Sequence, residues 1–191
     1  MFLSDSEILA AVTNGMLKID PFVTETIRNR GGQRVISYGL GPAGYDVRLK
    51  PEWKVFKRKQ YTGLLLNIHD PKELAAVTDD SIAVIDPKDY DEESLFKVVT
   101  GNELVMWPGD YALAVTLESF ALPTNVQGTF FAKSTYARFG LLLNTTNVQP
   151  GFEGEVVMEF YNAGTQPLLI RADEGFAQIK FDWCLWQPMR S

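Results

Sequence analysis

The sequence predicts a mainly β protein, a distorted jelly roll or β-barrel with a short helix at its N-terminus. Two observations support this fold class. From residue 96 onward, short apolar or alternating segments recur, and turn-forming Gly, Pro and Asn residues separate them. Only residues 4–16 combine a helical apolar spacing with a helix start signal. A chain of 191 residues can bury one sizeable core, so we expect a single domain over residues 1–191.

The N-terminal helix is predicted from its capping residues. Ser4 and Glu7 have the spacing of a capping box, in which each side chain accepts a hydrogen bond from a backbone N–H at the helix start. Gly15 marks the end of the helix. The apolar face that would pack on the core is formed by Ile8, Leu9, Val12 and Met16.

The segments after this helix contain fewer clear strands. Residues 21–32 are expected to form an irregular arm, and residues 35–40 a short strand that ends in a Gly- and Pro-rich turn. Two alternating strands follow at residues 45–50 and 53–57, because Pro51 between them cannot donate to a sheet.

The second half of the chain carries most of the predicted strands. Before it, residues 61–80 break the pattern and are interpreted as an insertion, and residues 89–94 as an acidic, solvated loop. The strands predicted from the alternation and the turns are 96–100, 103–107, 111–119, 126–132, 141–146, 155–161, 168–171 and 176–186.

Composition and charge exclude several classes of protein. The formal charge of -6 argues against a general nucleic-acid binder, whose surface would be basic. No apolar run is long enough to cross a membrane, and the first five residues lack the basic start and apolar core of a signal peptide. The single cysteine, Cys184, excludes an internal disulfide and fits a reducing compartment.

The scarcity of histidine and cysteine restricts the possible chemistry. Zinc-dependent nucleobase deaminases need a His/Cys/Cys or three-Cys ligand set. This chain has one histidine, His69, and one cysteine, Cys184, so it cannot build that set from its own residues. Neither residue lies in a motif for nucleophilic catalysis. The residue types present therefore exclude a zinc-dependent mechanism of that kind.

The first candidate for a binding site is the polar segment Lys133-Ser134-Thr135-Tyr136-Ala137-Arg138. Two cationic side chains flank two hydroxyl groups, after an apolar strand and before Gly140. Charged side chains, hydroxyls and backbone N–H groups can together hold phosphate oxygens. The same residues also fit a solvated surface corner, and the segment alone does not decide between these interpretations.

The second candidate is a carboxylate in the strand predicted at residues 155–161. Alternation places Glu159 on the same face as Glu155, Val157 and Tyr161, opposite Val156, Met158 and Phe160. Glu159 therefore lies mid-strand among large apolar neighbours, where a carboxylate is costly unless it is paired or used. A glutamate on the open face of an edge strand would be ordinary, so this alternative stays open.

Several motifs occur in a fixed order: S-Y-G (37–39) with G-Y-D-V-R (44–48), W-P-G-D-Y-A-L-A (107–114), K-S-T-Y-A-R-F-G-L (133–141), P-G-F-E-G-E-V-V-M-E-F-Y-N (150–162) and E-G-F-A-Q (174–178). This order resembles the dCTP deaminase family of the dUTPase-like superfamily, over roughly residues 37–181. The resemblance implies a jelly roll or β-barrel of the dUTPase-like type. It also implies a homotrimer with active sites between subunits, in the cytoplasm of a bacterium or of a virus-infected bacterial cell.

The resemblance further implies a reaction, conversion of dCTP and water to dUTP and ammonia. Mg²⁺ would accompany the triphosphate, with no zinc and no metal ligands from the protein, and neither nucleic acid nor a membrane would be a partner. Glu159 matches the catalytic general base and acid, Ser134 the serine that holds the water, and Arg138 the arginine that supports the site. Substrate-binding positions would be Lys133, Ser134, Thr135, Tyr136, Ala137, Arg138, Thr145, Thr146, Val157, Met158 and Gln178.

Two further positions bear on the alternatives. Relatives that hydrolyse dUTP use an Asp where this sequence has Gln149, and a glutamine cannot act as that base. Many relatives also continue into a C-terminal arm with Tyr and Gly-Gln residues, a pattern that is not found before Ser191. We therefore expect an open site, a site closed by another segment, or a different nucleotide. The alternatives to a deaminase are a dUTPase-like or bifunctional hydrolase that gives dUMP, and a non-catalytic nucleotide-binding trimer.

Overall fold

A computed structural model describes residues 2–57, 85–144 and 147–184 of the chain. Its residues group into two compact units, Met1–Val55 with Val98–Ser191, and Phe56–Lys97. The single domain expected over residues 1–191 stays a prediction. The insertion predicted at residues 61–80 lies outside the described residues.

Strands predominate among the described elements. The helices are α1 (Asp5–Thr13), α2 (Glu92–Leu95) and α3 (Ser134–Ala137), and no helix of the described residues is long and apolar enough to cross a membrane. The strands are β1 (Lys18–Asp20), β2 (Ile27–Arg30), β3 (Gln33–Gly41), β4 (Gly44–Phe56), β5 (Phe96–Thr100), β6 (Glu103–Met106), β7 (Tyr111–Ala121), β8 (Val126–Ala132), β9 (Leu141–Leu143), β10 (Asn147–Val148), β11 (Glu153–Asn162), β12 (Leu168–Arg171) and β13 (Gly175–Trp183).

Helix α1 begins with the predicted capping box. The Ser4 side chain accepts from the Glu7 N–H, and the Glu7 carboxylate accepts from the Ser4 N–H at 2.8 Å. The predicted apolar face is wrong in part, because the residues of α1 that are buried are Ile8 and Ala11. Leu9 lies on the exposed side of the helix, since a nine-residue helix can turn only a narrow stripe toward the core.

Most strands form one curled antiparallel sheet, in the order β10-β8-β13-β4-β7-β11-β9, with β1, β2, β3 and β5 attached beside this path. Strands β6 and β12 pair separately. The large aromatic side chains of the core come from the five central strands of this path, β8, β13, β4, β7 and β11: Tyr45, Trp53, Phe120, Phe130, Phe160, Phe176 and Phe181 are fully buried. The predicted mainly β fold with a short N-terminal helix is confirmed.

Strand β4 joins the two halves of the curled sheet. Its first residues pair with β13 and β3, and its later residues pair with β7, so the strand passes from one half to the other. Two separate strands were predicted here, which is wrong. The pairing with β7 is irregular between Leu49 and Trp53, and Pro51 lies within that irregular stretch. A proline is tolerated there because the ladder needs no backbone donor at a bulge.

Three other boundaries differ from the sequence prediction. The irregular arm expected at residues 21–32 contains β2, which pairs with β3 as a hairpin through the turn at Gly31 and Gly32. Both glycines have a positive φ, which suits a tight hairpin turn. Of the strand expected at residues 141–146, the described part contains β9 at Leu141–Leu143, which pairs with β11, while the separate strand β10 begins at Asn147 and pairs with β8. The third difference is helix α2, which begins at Glu92, within the loop that was expected at residues 89–94.

Candidate functional site

The polar segment after β8 forms a single turn of helix, α3. Lys133 precedes it in an extended conformation, and its carbonyl accepts hydrogen bonds from the N–H groups of Tyr136 and Ala137. Gly140, with φ of 87°, then reverses the chain into β9. A side chain at Gly140 would meet the backbone of Gly164 at 2.6 Å, so the turn requires glycine. The sequence prediction of a polar turn at the end of a strand is thereby confirmed, with a short helix added.

The α3 turn presents most of its polar residues outward. Ser134, Thr135, Ala137 and Arg138 are exposed, as a binding surface requires. Tyr136 is different, because its side chain is only 3% exposed, packs on Phe176, and accepts through its hydroxyl from the N–H of Arg171. The Tyr136 side chain therefore belongs to the core and does not face the surface of the turn.

Lys133 belongs to a half-buried cluster with Asp46 and Gln178. The Lys133 ammonium forms an ion pair with Asp46 Oδ2, and Gln178 Nε2 donates to Asp46 Oδ1 at 3.2 Å. The cluster follows from the register, since β13 pairs with both β8 and β4 and sets Gln178 directly opposite Asp46. The Lys133 and Asp46 side chains are 12% and 11% exposed, so their positions are fixed by both packing and charge.

Glu159 occupies the middle of β11. The strand alternates between exposed and buried positions as predicted, and Glu159 is partly buried on the outer face. Asn144 Nδ2 donates to Glu159 Oε2 at 2.6 Å, and the Asn144 N–H donates to the Glu159 carbonyl at 2.9 Å. Burial, and then the negative charge of Glu159, raise the pKa of the Tyr111 hydroxyl above its ordinary value.

The surroundings of Glu159 on the same face are apolar. Val157 is 48% exposed and Tyr161 is 40% exposed, and Leu142 of the neighbouring β9 is 58% exposed. Met158 faces the core and is 1% exposed, so it could contribute to a ligand site only through its backbone. Thr145 and Thr146 lie outside the described residues.

Glu159 and Arg138 lie at opposite ends of β9. Leu141 pairs with Asn162 of β11, whereas Asn144, beyond the other end of β9, is level with Glu159. At a strand rise of about 3.3 Å per residue, Glu159 is about 10 Å along β11 from Asn162. Arg138 precedes Leu141 in the chain. In the described part of the chain, no hydrogen bond or ion pair joins Glu159 to Ser134 or Arg138.

The structure adds two side chains that the sequence alone did not assign to the candidate site, although the backbone at Asn144 was expected to contact the base. Asp46 belongs to the motif G-Y-D-V-R (44–48), and a carboxylate between the apolar residues Tyr45 and Val47 could have indicated a functional role from the sequence. Nothing in the sequence indicated a role for the Asn144 side chain, because that role depends on β9 lying beside β11. Within residues 2–57, 85–144 and 147–184, no group of three or more His, Cys, Asp or Glu side chains is arranged to hold a metal ion.

Comparison with known proteins shows which family the sequence matches. A family model described as dCTP deaminase-like matches residues 2–183. The chain belongs to the dCTP deaminase-like family. The family membership predicted from the motifs is therefore confirmed.

The curated relatives of this dCTP deaminase-like chain are bacterial. It is 42% identical over 163 residues to a dCTP deaminase of Azotobacter vinelandii, covering 85% of this chain and 75% of the relative. It is 40% identical over 171 residues to a dCTP deaminase of Polaromonas sp., covering 90% of this chain and 78% of the relative. These names agree with the predicted class of enzyme.

A solved structure supports the predicted fold type. The crystal structure of the 2'-deoxycytidine 5'-triphosphate deaminase from Agrobacterium tumefaciens is similar to this chain with a TM-score of 0.60 and 17% sequence identity. The match covers 94% of this chain and 47% of the solved chain, so this chain spans about half the length of that protein. At this level of identity the similarity concerns the fold alone.

Proposed function

We propose that this protein hydrolyses dCTP to dUTP and ammonia, as a zinc-independent deaminase with Glu159 as the general base and acid. The observation that carries the proposal is the Glu159 carboxylate, fixed by Asn144 at 2.6 Å on a partly buried, apolar strand face. A positioned carboxylate in such a place can take a proton from water and return it to the substrate. The names of the curated relatives support the substrate.

The reaction exchanges an amino group for an oxygen at C4 of cytosine. Glu159 takes a proton from water, the hydroxide adds to C4, and Glu159 gives that proton to N3. Glu159 then takes the proton of the new C4 hydroxyl and gives it to the amino group, so that the C4–N bond breaks, ammonia leaves and a C4 carbonyl remains. Each proton that Glu159 takes is returned, so the carboxylate ends the cycle as it began. The apolar side chains of Val157 and Tyr161 beside it lower the local polarity, which strengthens the electrostatic interactions of the reacting groups.

The triphosphate is assigned to the α3 turn and its neighbours. Lys133 supplies a fixed cation, Ser134 and Thr135 supply hydroxyls and backbone N–H groups, and Gln178 supplies an amide donor. Mg²⁺ enters with the nucleotide, because this ion is commonly held by phosphates and water with few protein ligands. Its contribution is to neutralise phosphate charge. Asp46 keeps Lys133 and Gln178 in place, so we assign it a positioning role.

A complete site requires a second copy of the chain. Glu159 and Arg138 lie at opposite ends of β9, and the exposed apolar side chains beside Glu159 offer a surface for another subunit. We therefore propose that Ser134 and Arg138 of one subunit complete the site around Glu159 of a neighbour in a homotrimer. A cytoplasmic location in a bacterium, or in an infected bacterial cell, is proposed from the bacterial origin of the relatives.

Incubation with dCTP and Mg²⁺ tests the function directly. We expect dUTP and ammonia in equal amounts, with no dUMP or pyrophosphate, because Gln149 cannot activate a water for attack on phosphorus. Chromatography of the nucleotides with an ammonia assay measures both products. Formation of dUMP and pyrophosphate would favour the hydrolase alternative, and tight nucleotide binding without any product would favour the non-catalytic trimer.

Asn144→Ala should lower kcat for dCTP about 10- to 150-fold and change KM less, since one lost hydrogen bond to a charged group is worth about 1.5–3 kcal/mol. The physical reason is that the Glu159 carboxylate loses the donor that orients it. Steady-state kinetics measure the two constants. The matched control is Asn147→Ala, because Asn147 accepts from the Thr129 hydroxyl instead. Equal kcat values for Asn144→Ala and the wild-type protein would contradict the positioning role.

A further inference from the structure

An open cleft lies beside the α3 turn, between the β2–β3 hairpin and the start of β13. Its volume is about 710 Å³, enough for a phosphate chain and its hydration. The residues that matter for its chemistry are Arg28 and Arg34 of the hairpin, Thr135 of α3, and Arg171 and Glu174 near β13. Thr135 therefore belongs both to this cleft and to the segment that the proposed function assigns to phosphate.

The cleft carries more positive than negative charge. Its one carboxylate, Glu174, already accepts from the Ile36 N–H at 2.7 Å and lies 4.0 Å from Arg171. Arg171 is further neutralised by Glu103 at 3.3 Å. The chain as a whole has a formal charge of -6, so a locally cationic cleft departs from the general character of the molecule.

Arg28 and Arg34 are the cations that remain available. Both are exposed, and in the described part of the chain neither makes a salt bridge or a hydrogen bond. Their neighbour Arg30 differs, because it is paired with Asp173. Two unpaired cations on adjacent strands repel each other, and an anion between them would remove that repulsion.

The hairpin directs both arginines toward the same cleft. Arg34 pairs with Asn29 across the hairpin, and the register is irregular between Ile27 and Asn29. Arg28 therefore lies at a bulge, and bulges change the direction of a side chain relative to the regular alternation. Both arginines accordingly line one cavity, although they do not occupy directly opposite positions.

We propose that this cleft binds a polyphosphate chain, with Arg28 and Arg34 as its charged donors and Thr135 as the link to the α3 turn. The choice of phosphate as the ligand rests on the proposed function, since the same segment is assigned there to the triphosphate. The polyphosphate is either the terminal phosphates of the bound nucleotide or a separate polyphosphate ion. In either case the β2–β3 hairpin selects for triphosphates over monophosphates.

The test is calorimetric binding of inorganic tripolyphosphate to the full chain. We expect the variants R28Q and R34Q each to weaken binding about tenfold, as the loss of charge-assisted hydrogen bonds predicts. The control K18Q removes an equally exposed cation that lies outside the cleft, and it should bind like the wild-type protein. Unchanged binding in both R28Q and R34Q would overturn the proposal. Thermal midpoints verify that each variant is folded, and R34K retains the charge if R34Q is unstable.

Competition with dCTP separates the two sources of phosphate. If tripolyphosphate displaces dCTP, the cleft takes the tail of the substrate, and R28Q and R34Q should raise KM for dCTP. If tripolyphosphate and dCTP bind at the same time, the cleft is a separate polyphosphate site. Either result supports polyphosphate binding in the cleft. The outcome is independent of the proposed reaction, because a protein that binds tripolyphosphate through these arginines yet never deaminates dCTP would contradict only the proposed function.

Discussion

Glu159→Gln should lower kcat for dCTP deamination by about 100- to 10,000-fold, the range that general acid–base catalysis contributes. A glutamine has nearly the same shape and can keep the contact with Asn144, but it cannot take a proton from water. Affinity for dCTP should change little, because the phosphate-contacting residues are on other elements. Single-turnover kinetics and equilibrium binding of dCTP measure the two effects separately.

Glu155→Gln is the matched control for this substitution. Glu155 lies on the same strand and the same face, but its carboxylate is paired with Lys50 at 2.6 Å rather than held by Asn144. We expect Glu155→Gln to retain activity close to that of the wild-type protein. A Glu159→Gln variant that stays fully active would show that another group is the base.

Coexpression of Glu159→Gln and Arg138→Ala chains tests whether the site is shared. Each variant alone should be nearly inactive. In mixed trimers, a fraction of the sites would combine wild-type Glu159 from one subunit with wild-type Arg138 from another, so activity should partly return. If both residues acted within one chain, every site would contain one substitution and no activity would return. Activity measured on purified mixed trimers distinguishes these cases.

The fold was largely predictable wherever burial alternates along a strand. In β7 and most of β11 buried positions alternate with more exposed ones, so period-2 patterning predicted both strands and, in β11, the two faces of the strand. Strand β4 was predicted as two pieces because Pro51 interrupts the pattern. Whether a proline ends a strand or occupies a bulge depends on the partner strands, which local sequence does not specify.

The candidate site was predictable in its residue types and not in its contacts. The segment after β8 and the acid in β11 were both identified from sequence patterns and family motifs. The ion pair of Lys133 with Asp46 joins residues 87 positions apart, and the hydrogen bond of Asn144 to Glu159 depends on the pairing of β9 with β11. Both contacts are set by the register of neighbouring strands. That register depends on the whole sheet and cannot be inferred from a local segment of sequence.

Glu118→Leu should lower the free energy of unfolding by about 3–5 kcal/mol, the usual cost of removing one partner of a buried ion pair. Glu118 is fully buried, and it accepts from both the backbone N–H and Nε of Arg48 at 2.8 Å. Burial raises the pKa of the Glu118 carboxyl, while its hydrogen bonds with Arg48 lower it. The substitution would leave the Arg48 guanidinium, whose side chain is only 9% exposed, without this partner. Urea unfolding monitored by tryptophan fluorescence measures the change.

The double variant Arg48→Met with Glu118→Leu separates the cost of a poorly compensated charge from that of lost packing. In Glu118→Leu alone, Arg48 keeps only its contact with the half-exposed Asp173 at 3.2 Å. Because the pair is expensive to desolvate, replacing both partners with apolar side chains should cost much less than Glu118→Leu alone. Glu155→Ala is the control on an exposed pair, where the loss of the Lys50 contact should cost about 0–1 kcal/mol. A double variant as unstable as Glu118→Leu would mean that shape, and not the poorly compensated charge of Arg48, determines the stability of the junction between β4 and β7.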